Sequence, residues 1–188
     1  MGYVKRYHYR KNKIIKITQI LLCVLILILF NGCSVLIPFK DLPKPDGSYS
    51  IGTDVFIMED KNRSEFFTDD TSDYRKIIVQ VWYPSIELTD SIYPYLDYPN
   101  IRVPYIAKRM GVPKSIIKHI GNIEANAYYK AKPINKEFPI IIFSHGLGGN
   151  RTQNTANIES PSSNGYIVYS IEHSYDANIA IFNDSTYI

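Results

Sequence analysis

Residues 138–149 read FPIIIFSHGLGG, a short apolar run followed at once by a glycine-rich turn. The run IIIF at 140–143 predicts a strand covered on both faces inside a parallel sheet, because such strands lack alternating polar positions. Ser144 and His145 end the strand, and three glycines follow: Gly146, Gly148 and Gly149. Glycines let the backbone turn sharply and bring its N–H groups close to a ligand. The stretch therefore predicts a buried strand that leads into a turn able to bind an oxyanion.

The segment after the turn predicts a second strand, parallel to the first. Residues 150–160 can form a short helix, which Pro161 is expected to end early, and residues 165–171 (GYIVYSI) form a β-branched and aromatic run. Strand, turn, helix and strand make a βαβ unit, whose ligands bind at the carboxyl ends of the strands. We expect His145 and Gly146 at that edge, next to Glu172 and His173.

The preceding half of the chain predicts two strands that pair with each other. Residues 49–58 and 76–83 are strand-like, and the polar segment between them is too short for a packed crossover helix, so an antiparallel pair is expected. The sequence thus predicts an α/β fold, an α/β-hydrolase-like mostly parallel sheet with antiparallel leading strands, incomplete at the carboxyl end. In that sheet the unpaired hydrophobic edge is expected at 165–171, which predicts aggregation of the isolated chain.

The long interval at residues 89–133 predicts structure of its own. Pro113 suits the first turn of a short helix that ends at Gly121, with isoleucines on one face and lysines on the other. One interpretation is a satellite helix packed on the core. The other is a lid or interfacial patch that touches lipid, since a basic amphipathic helix suits a membrane surface.

The charge of the chain is divided between a basic start and an acidic body. The net charge is +3, from 21 basic and 18 acidic residues. Six of the basic residues, and no acidic one, lie within the first sixteen positions, which leaves 15 basic against 18 acidic residues in the rest. The body therefore lacks the net positive charge expected of a nucleic-acid-binding domain.

The basic start precedes eleven apolar residues at 20–30, the layout of a secretory signal. Cys33 follows and resembles the lipidation site of bacterial lipoproteins. The alternative is an uncleaved membrane anchor at 17–37. Both interpretations predict an extracytoplasmic body, anchored or secreted. We expect an anchor or export signal at 1–37, a proline-rich linker at 38–48 and a partial hydrolase domain at 49–188. Since Cys23 and Cys33 are the only cysteines, the body has no thiol for a disulfide, a nucleophile or a metal.

Several separated motifs occur in an order that matches a known family. They are DGSYSIGTD at 46–54, VWYP at 81–84, FPIIIFSHGLG at 138–148 with Arg151-Thr152 after it, and NGYIV at 164–168 leading to Glu172-His173. From about Asp46 to its end, the chain resembles the amino-terminal half of the platelet-activating factor acetylhydrolase family of α/β-hydrolases, the plasma or secreted type. HGLG is also a close variant of the HGGG-type oxyanion motif of serine esterases.

The resemblance implies a serine ester hydrolase that removes short or oxidised sn-2 acyl chains from phospholipids without a metal or cofactor. It implies that the backbone N–H of Leu147 donates to the oxyanion, and that His145, Gly146 and Gly148 support that loop. In this fold the nucleophile lies in a later G-x-S-x-G elbow, followed by the acid and then the base histidine. The 188 residues contain no G-x-S-x-G, so we expect the nucleophile, acid and base to be absent from this chain.

Two further functions stay open beside this one. A non-catalytic lipoprotein remnant would keep the anchor and half of the sheet. A broader esterase or lipase would use the same turn on another acyl ester. For His145 we expect a loop-holding role rather than that of general base, since the base comes last in chain order. For His173, without a third ligand at useful spacing, we expect a structural role at the strand end rather than a metal-binding one.

Overall fold

The structure, a computed structural model, describes residues 14–26, 39–86, 89–182 and 186–188. Helix α1 covers residues 14–26. The other elements follow in this order: β1 (Ser50–Ser64), β2 (Tyr74–Ser85), β3 (Ile92–Pro94), α2 (Pro99–Met110), α3 (Lys114–Ile117), a 3₁₀ helix (Lys118–Asn122), β4 (Glu124–Tyr129), β5 (Ile140–Ser144), α4 (Thr155–Ser163) and β6 (Ile167–His173). Within the described ranges, no helix combines the length and the apolar character needed to cross a bilayer. The predicted anchor at 17–37 extends beyond these ranges, and Cys33 lies outside them.

The six described strands form one mixed sheet with the order β3-β4-β1-β2-β6-β5. The leading strands β1 and β2 are antiparallel, as predicted, with Phe56 opposite Val79. β5 and β6 are parallel, with Ile140 opposite Ile167. The sheet is nevertheless not mostly parallel, because β2 joins the parallel pair to the rest of the sheet in antiparallel orientation. The predicted βαβ unit is therefore present at one side of a mixed sheet.

Two predictions about the sheet are wrong, and they have one cause. β5 was expected to be covered on both faces, but Ile140 and Ile142 are 61% and 69% exposed. The open edge was expected at 165–171, but β6 pairs on both sides. Because β2 occupies the inner side of β6, β5 becomes the outermost strand on that side of the described sheet. The apolar run that reads as a core strand is thus an edge strand in this structure.

Helix α4 crosses one face of the sheet between β5 and β6. It continues to Ser163, so the expectation that Pro161 would end it early is wrong. Pro161 has no N–H to donate to the carbonyl of Asn157, four residues earlier in the helix. Asn157 is exposed, so water can donate to this carbonyl instead. The buried face of α4 is partly polar. On this face the Glu159 carboxylate accepts hydrogen bonds from the backbone and side-chain N–H groups of Asn126. These bonds let a helix of low apolar content pack on the sheet.

The interval at residues 89–133 contains β3, β4 and a small helical layer. The helix predicted from Pro113 to Gly121 is confirmed as α3 and the 3₁₀ helix that follows it. Ile117 and Ile120 are buried against α2, while Lys114 and Lys118 are exposed, which agrees with the packed satellite helix. Lipid contact through the exposed face stays a prediction.

Candidate functional site: the turn at the carboxyl edge of β5

The parallel pairing of β5 and β6 brings two histidines and a serine together at the carboxyl edge. Ser144 Oγ and His173 Nε2 are 2.8 Å apart. The backbone N–H of His173 donates to His145 Nε2 over 3.2 Å, and the two imidazole rings are 5.3 Å apart between centroids. The edge where the sequence predicts His145 next to His173 is therefore the place where they meet.

His145 holds the turn through both of its ring nitrogens. Nε2 accepts the hydrogen bond from the His173 backbone, so it carries a lone pair and the proton lies on Nδ1. Nδ1 then donates to the Gly146 carbonyl over 2.8 Å. This single tautomer satisfies both contacts. It ties the turn to the end of β6, as expected for a loop-holding histidine.

The Gly146–Leu147 peptide is fixed by bonds on its carbonyl side. The Gly146 carbonyl accepts from His145 and also from the Gly149 N–H, at 2.8 Å each. The N–H on the other side of this peptide belongs to Leu147, and no described residue accepts a hydrogen bond from it. The Leu147 side chain is 80% exposed. The turn therefore presents an oriented, unoccupied donor at the surface, as an oxyanion-binding loop requires.

Contacts from two other segments fix the rest of the turn. The Gly148 N–H donates to the Asp176 carbonyl over 2.6 Å. Arg109 Nη2 of α2 donates to the Leu147 carbonyl over 2.9 Å. Gly148 has a φ of +71°, and a Cβ at this position would meet the Arg109 guanidinium at 2.1 Å. Position 148 therefore favours glycine for its backbone conformation, and a larger residue would have to displace the Arg109 guanidinium.

A buried ion cluster lies behind the turn and joins it to α2. Glu172, at the end of β6, accepts from Arg102 over 2.8 Å and from Arg151 over 3.0 Å. Asp97 binds the same two guanidinium groups, with 2.6 Å to Arg102 Nε. Gln80 completes the cluster by accepting from Arg151 Nε. Two cations and two carboxylates thus compensate each other where water is excluded.

The ionisation of these groups follows from burial and charge. Burial acts to raise the pKa of Asp97, but the charges of Arg151 and Arg102 outweigh it and hold the pKa below its usual value. Burial is the main cause that lowers the pKa of His173, and the neighbouring His145 and Arg75 act in the same direction. His173 therefore favours its neutral form, which lets its Nε2 accept the Ser144 hydroxyl proton.

The structure assembles most residues that the sequence selects, and adds others. Gly146, Leu147 and Gly148 form the turn with His145, and Glu172 lies beside it within the ion cluster. Sequence reasoning missed Arg102, Asp97 and Arg109, because their contacts with Glu172, Arg151 and Leu147 join residues at least 38 positions apart. Among the described residues, no group of three or more His, Cys, Asp or Glu side chains is placed to hold a metal ion.

The βαβ unit, with a glycine turn at the carboxyl edge of its strands, defines an α/β protein whose turn lies at the edge where ligands bind in this class of fold. The family model described as "Platelet-activating factor acetylhydrolase, isoform II" matches residues 36–185, and the chain belongs to this family.

Two curated relatives support this assignment. Platelet-activating factor acetylhydrolase of Canis lupus familiaris is 30% identical over 139 residues, and that of Bos taurus is 29% identical over 140. Each match covers 70% of this chain and 28% of the relative, so the chain spans less than a third of their length.

A solved structure shows the same fold. Ferulic acid esterase from Streptomyces cinnamoneus superposes with a TM-score of 0.65 at 23% identity, covering 79% of this chain and 40% of that one. The likeness supports the α/β class.

Proposed function

We propose that this chain supplies the oxyanion-binding turn of a serine ester hydrolase. The observation that carries the proposal is the Leu147 N–H, from which no described residue accepts a hydrogen bond, on a peptide whose carbonyl is fixed by His145 and Gly149. In acyl transfer such a donor stabilises the negative oxygen of the tetrahedral intermediate. Losing one such donor costs about 2.7 to 4 kcal/mol in the transition state.

The proposed substrate is a phospholipid with a short or oxidised sn-2 acyl chain. Support comes from the family and from the two relatives named platelet-activating factor acetylhydrolase. The enzyme would be a carboxylic ester hydrolase of the 1-alkyl-2-acetylglycerophosphocholine esterase type. The basic start and apolar run support a membrane-anchored or secreted, extracytoplasmic location. A broader esterase is the alternative within the same chemistry, and the ferulic acid esterase neighbour shares only the fold.

A substrate panel separates these two specificities. The expressed product of the gene is assayed with three esters: a 2-acetyl phosphatidylcholine, a 2-palmitoyl phosphatidylcholine and methyl ferulate. The proposal predicts that kcat/KM is highest for the 2-acetyl lipid. Preference for the palmitoyl lipid or for methyl ferulate would contradict the sn-2 short-chain assignment and favour the broader esterase.

The second candidate is a non-catalytic lipoprotein remnant, which would keep the sheet and the turn without a nucleophile. In this fold the nucleophile lies in a G-x-S-x-G elbow. Sequencing the locus past the codon for Ile188 distinguishes the two. A continuing frame with the elbow, then an aspartate and a histidine, supports the hydrolase. A stop codon leaves a chain that cannot form an acyl-enzyme by this mechanism, and the remnant is then the better assignment.

A further inference from the structure

The hydrogen-bonded side chains of Ser144 and His173 have no part in the oxyanion-binding role proposed for the turn. Ser144 Oγ lies 2.8 Å from His173 Nε2. The contact of His173 with His145 uses the His173 backbone N–H, so it leaves the His173 ring to Ser144. A serine hydroxyl that donates to a neutral imidazole is the arrangement that activates serine as a nucleophile.

The strand register places this pair on the more open face of the sheet. Ser144 lies opposite Ile171, and side chains two positions apart share a face, so Ser144 and His173 are on the same side. On β6 the residues of that side are half-buried, whereas the alternate residues, which include Glu172 of the ion cluster, are buried. Ser144 itself is exposed. An acyl donor in solution can therefore reach the Ser144 hydroxyl.

A carboxylate near His173 supports its use as a general base. Although burial lowers the pKa of His173, the negative charge of Asp176 acts in the opposite direction, because it favours the imidazolium. The ring is thus mainly neutral at neutral pH and can accept a proton. Once it has done so, the Asp176 charge stabilises the cation, which is part of what the acid does in a serine–histidine–aspartate triad.

A cavity of about 370 Å³ borders His173 and provides space for a leaving group. Ile77 lies opposite His173 on β2, and Met58 lies opposite Ile77 on β1, so two apolar side chains line the cavity in one row with the histidine. The other lining residues are charged: Glu59, Asp60, Arg63 and Arg75. The volume is within the range of small-molecule sites, and the apolar row suits an aromatic ring.

We propose that Ser144 and His173 form a nucleophile–base pair that accepts the acyl group of an aryl ester. Ser144 Oγ forms a bond to the carbonyl carbon while its proton passes to His173 Nε2. The bond from that carbon to the aryl oxygen breaks, and the phenol leaves with the proton. Water then attacks the acyl-serine with His173 again as the base, which releases the acid and restores Ser144. The pair requires neither the Leu147 N–H nor an elbow serine, so it goes beyond the proposed function.

Labelling of the full chain with ethyl 4-nitrophenyl methylphosphonate tests the pair. This probe is the phosphonate analogue of an aryl ester, and attack by serine releases nitrophenolate and leaves a phosphonyl group that persists on the oxygen. Nitrophenolate absorbance gives the rate, and mass spectrometry of the digested protein locates the adduct. We expect the adduct on Ser144. An adduct only on other residues, or no adduct, would overturn the proposal.

Variants separate the nucleophile from the base. Ser144→Ala should abolish the adduct at this position. His173→Gln keeps Ser144 and a polar side chain beside it but removes the base, so labelling of Ser144 should slow by about 10²-fold or more. Ser91→Ala removes another exposed serine and should leave the rate unchanged. Equal rates of Ser144 labelling in His173→Gln and the unmodified chain would refute the role of His173.

The same preparation distinguishes failure of the pair from failure of the proposed function. An adduct at Ser144 without hydrolysis of a 2-acetyl phosphatidylcholine supports the pair and counts against the hydrolase. Hydrolysis of that lipid without an adduct at Ser144 supports the hydrolase and refutes the pair. Trp82 is buried and is the single tryptophan, so its fluorescence confirms that each variant is folded.

Discussion

Replacing Glu172 by glutamine tests whether the buried ion cluster holds the turn and α2 on the sheet. Glu172 is fully buried and accepts from Arg102, from the Arg151 side chain and from the Arg151 backbone N–H. Glu172→Gln keeps the shape but leaves two guanidinium groups with the Asp97 carboxylate alone. Breaking a buried ion pair by removing one partner costs about 3 to 5 kcal/mol. Since a domain of this size is stable by about 5 to 15 kcal/mol, most of its stability is at risk.

The assay is urea unfolding of the full chain, followed by the fluorescence of Trp82. Glu59→Gln is the matched control, because Glu59 lies 3.5 Å from Lys76 in a pair that is about one-third exposed. Exposed pairs contribute about 0 to 1 kcal/mol, so the control should change the free energy of unfolding little. A loss below about 1 kcal/mol for Glu172→Gln would refute the argument that the cluster stabilises the fold.

Three further predictions concern the same edge of the sheet. The pKa of His173 is lowered below 6.5 in the folded protein, so folding stability should fall as the pH drops through 6.5. In unfolding titrations at pH 7.5 and 5.5, His173→Gln should reduce this loss of stability. An unchanged pH dependence in the variant would exclude His173 as its source. Ile142→Lys should lower the light scattering of the chain, since it charges an exposed edge strand, and undiminished scattering would place the aggregating surface elsewhere. Gly148 and Gly111 both have a positive φ near 70°, but only Gly148 is in contact with Arg109. Gly148→Ala should therefore destabilise the chain more than Gly111→Ala. Equal melting temperatures for the two variants would show that the contact is unimportant.

The sequence predicts the local elements well because their signals are short-range. The glycines of the turn, the apolar run before it and Pro113 act within a few residues, and each predicted element is present. The expected helix limit at Pro161 was wrong for a local reason, since the unpaired carbonyl is exposed.

The arrangement of the sheet was harder to predict, because it depends on contacts between distant residues. An apolar run such as Ile140-Ile141-Ile142 does not indicate which strands will pair with it, or whether it will lie at the edge of the sheet. The pairing of β6 with β2 decides that β5 is the outer strand. The ion cluster was equally hard to predict, because it joins Asp97 and Arg102 to Arg151 and Glu172, which lie at least 49 positions later in the chain.

Kinetics of Leu147 variants test the central claim most directly. Leu147→Pro removes the backbone N–H, whereas Leu147→Ala keeps it, and neither change removes a buried side-chain contact because Leu147 is 80% exposed. Hydrolysis of a 2-acetyl phosphatidylcholine is measured with the expressed product of the gene. We predict that kcat falls by about 10² to 10³ for Leu147→Pro and stays within about threefold of the unmodified protein for Leu147→Ala. Equal kcat values for the two variants, or no hydrolysis by the unmodified product, would contradict the assignment of this turn as an oxyanion site.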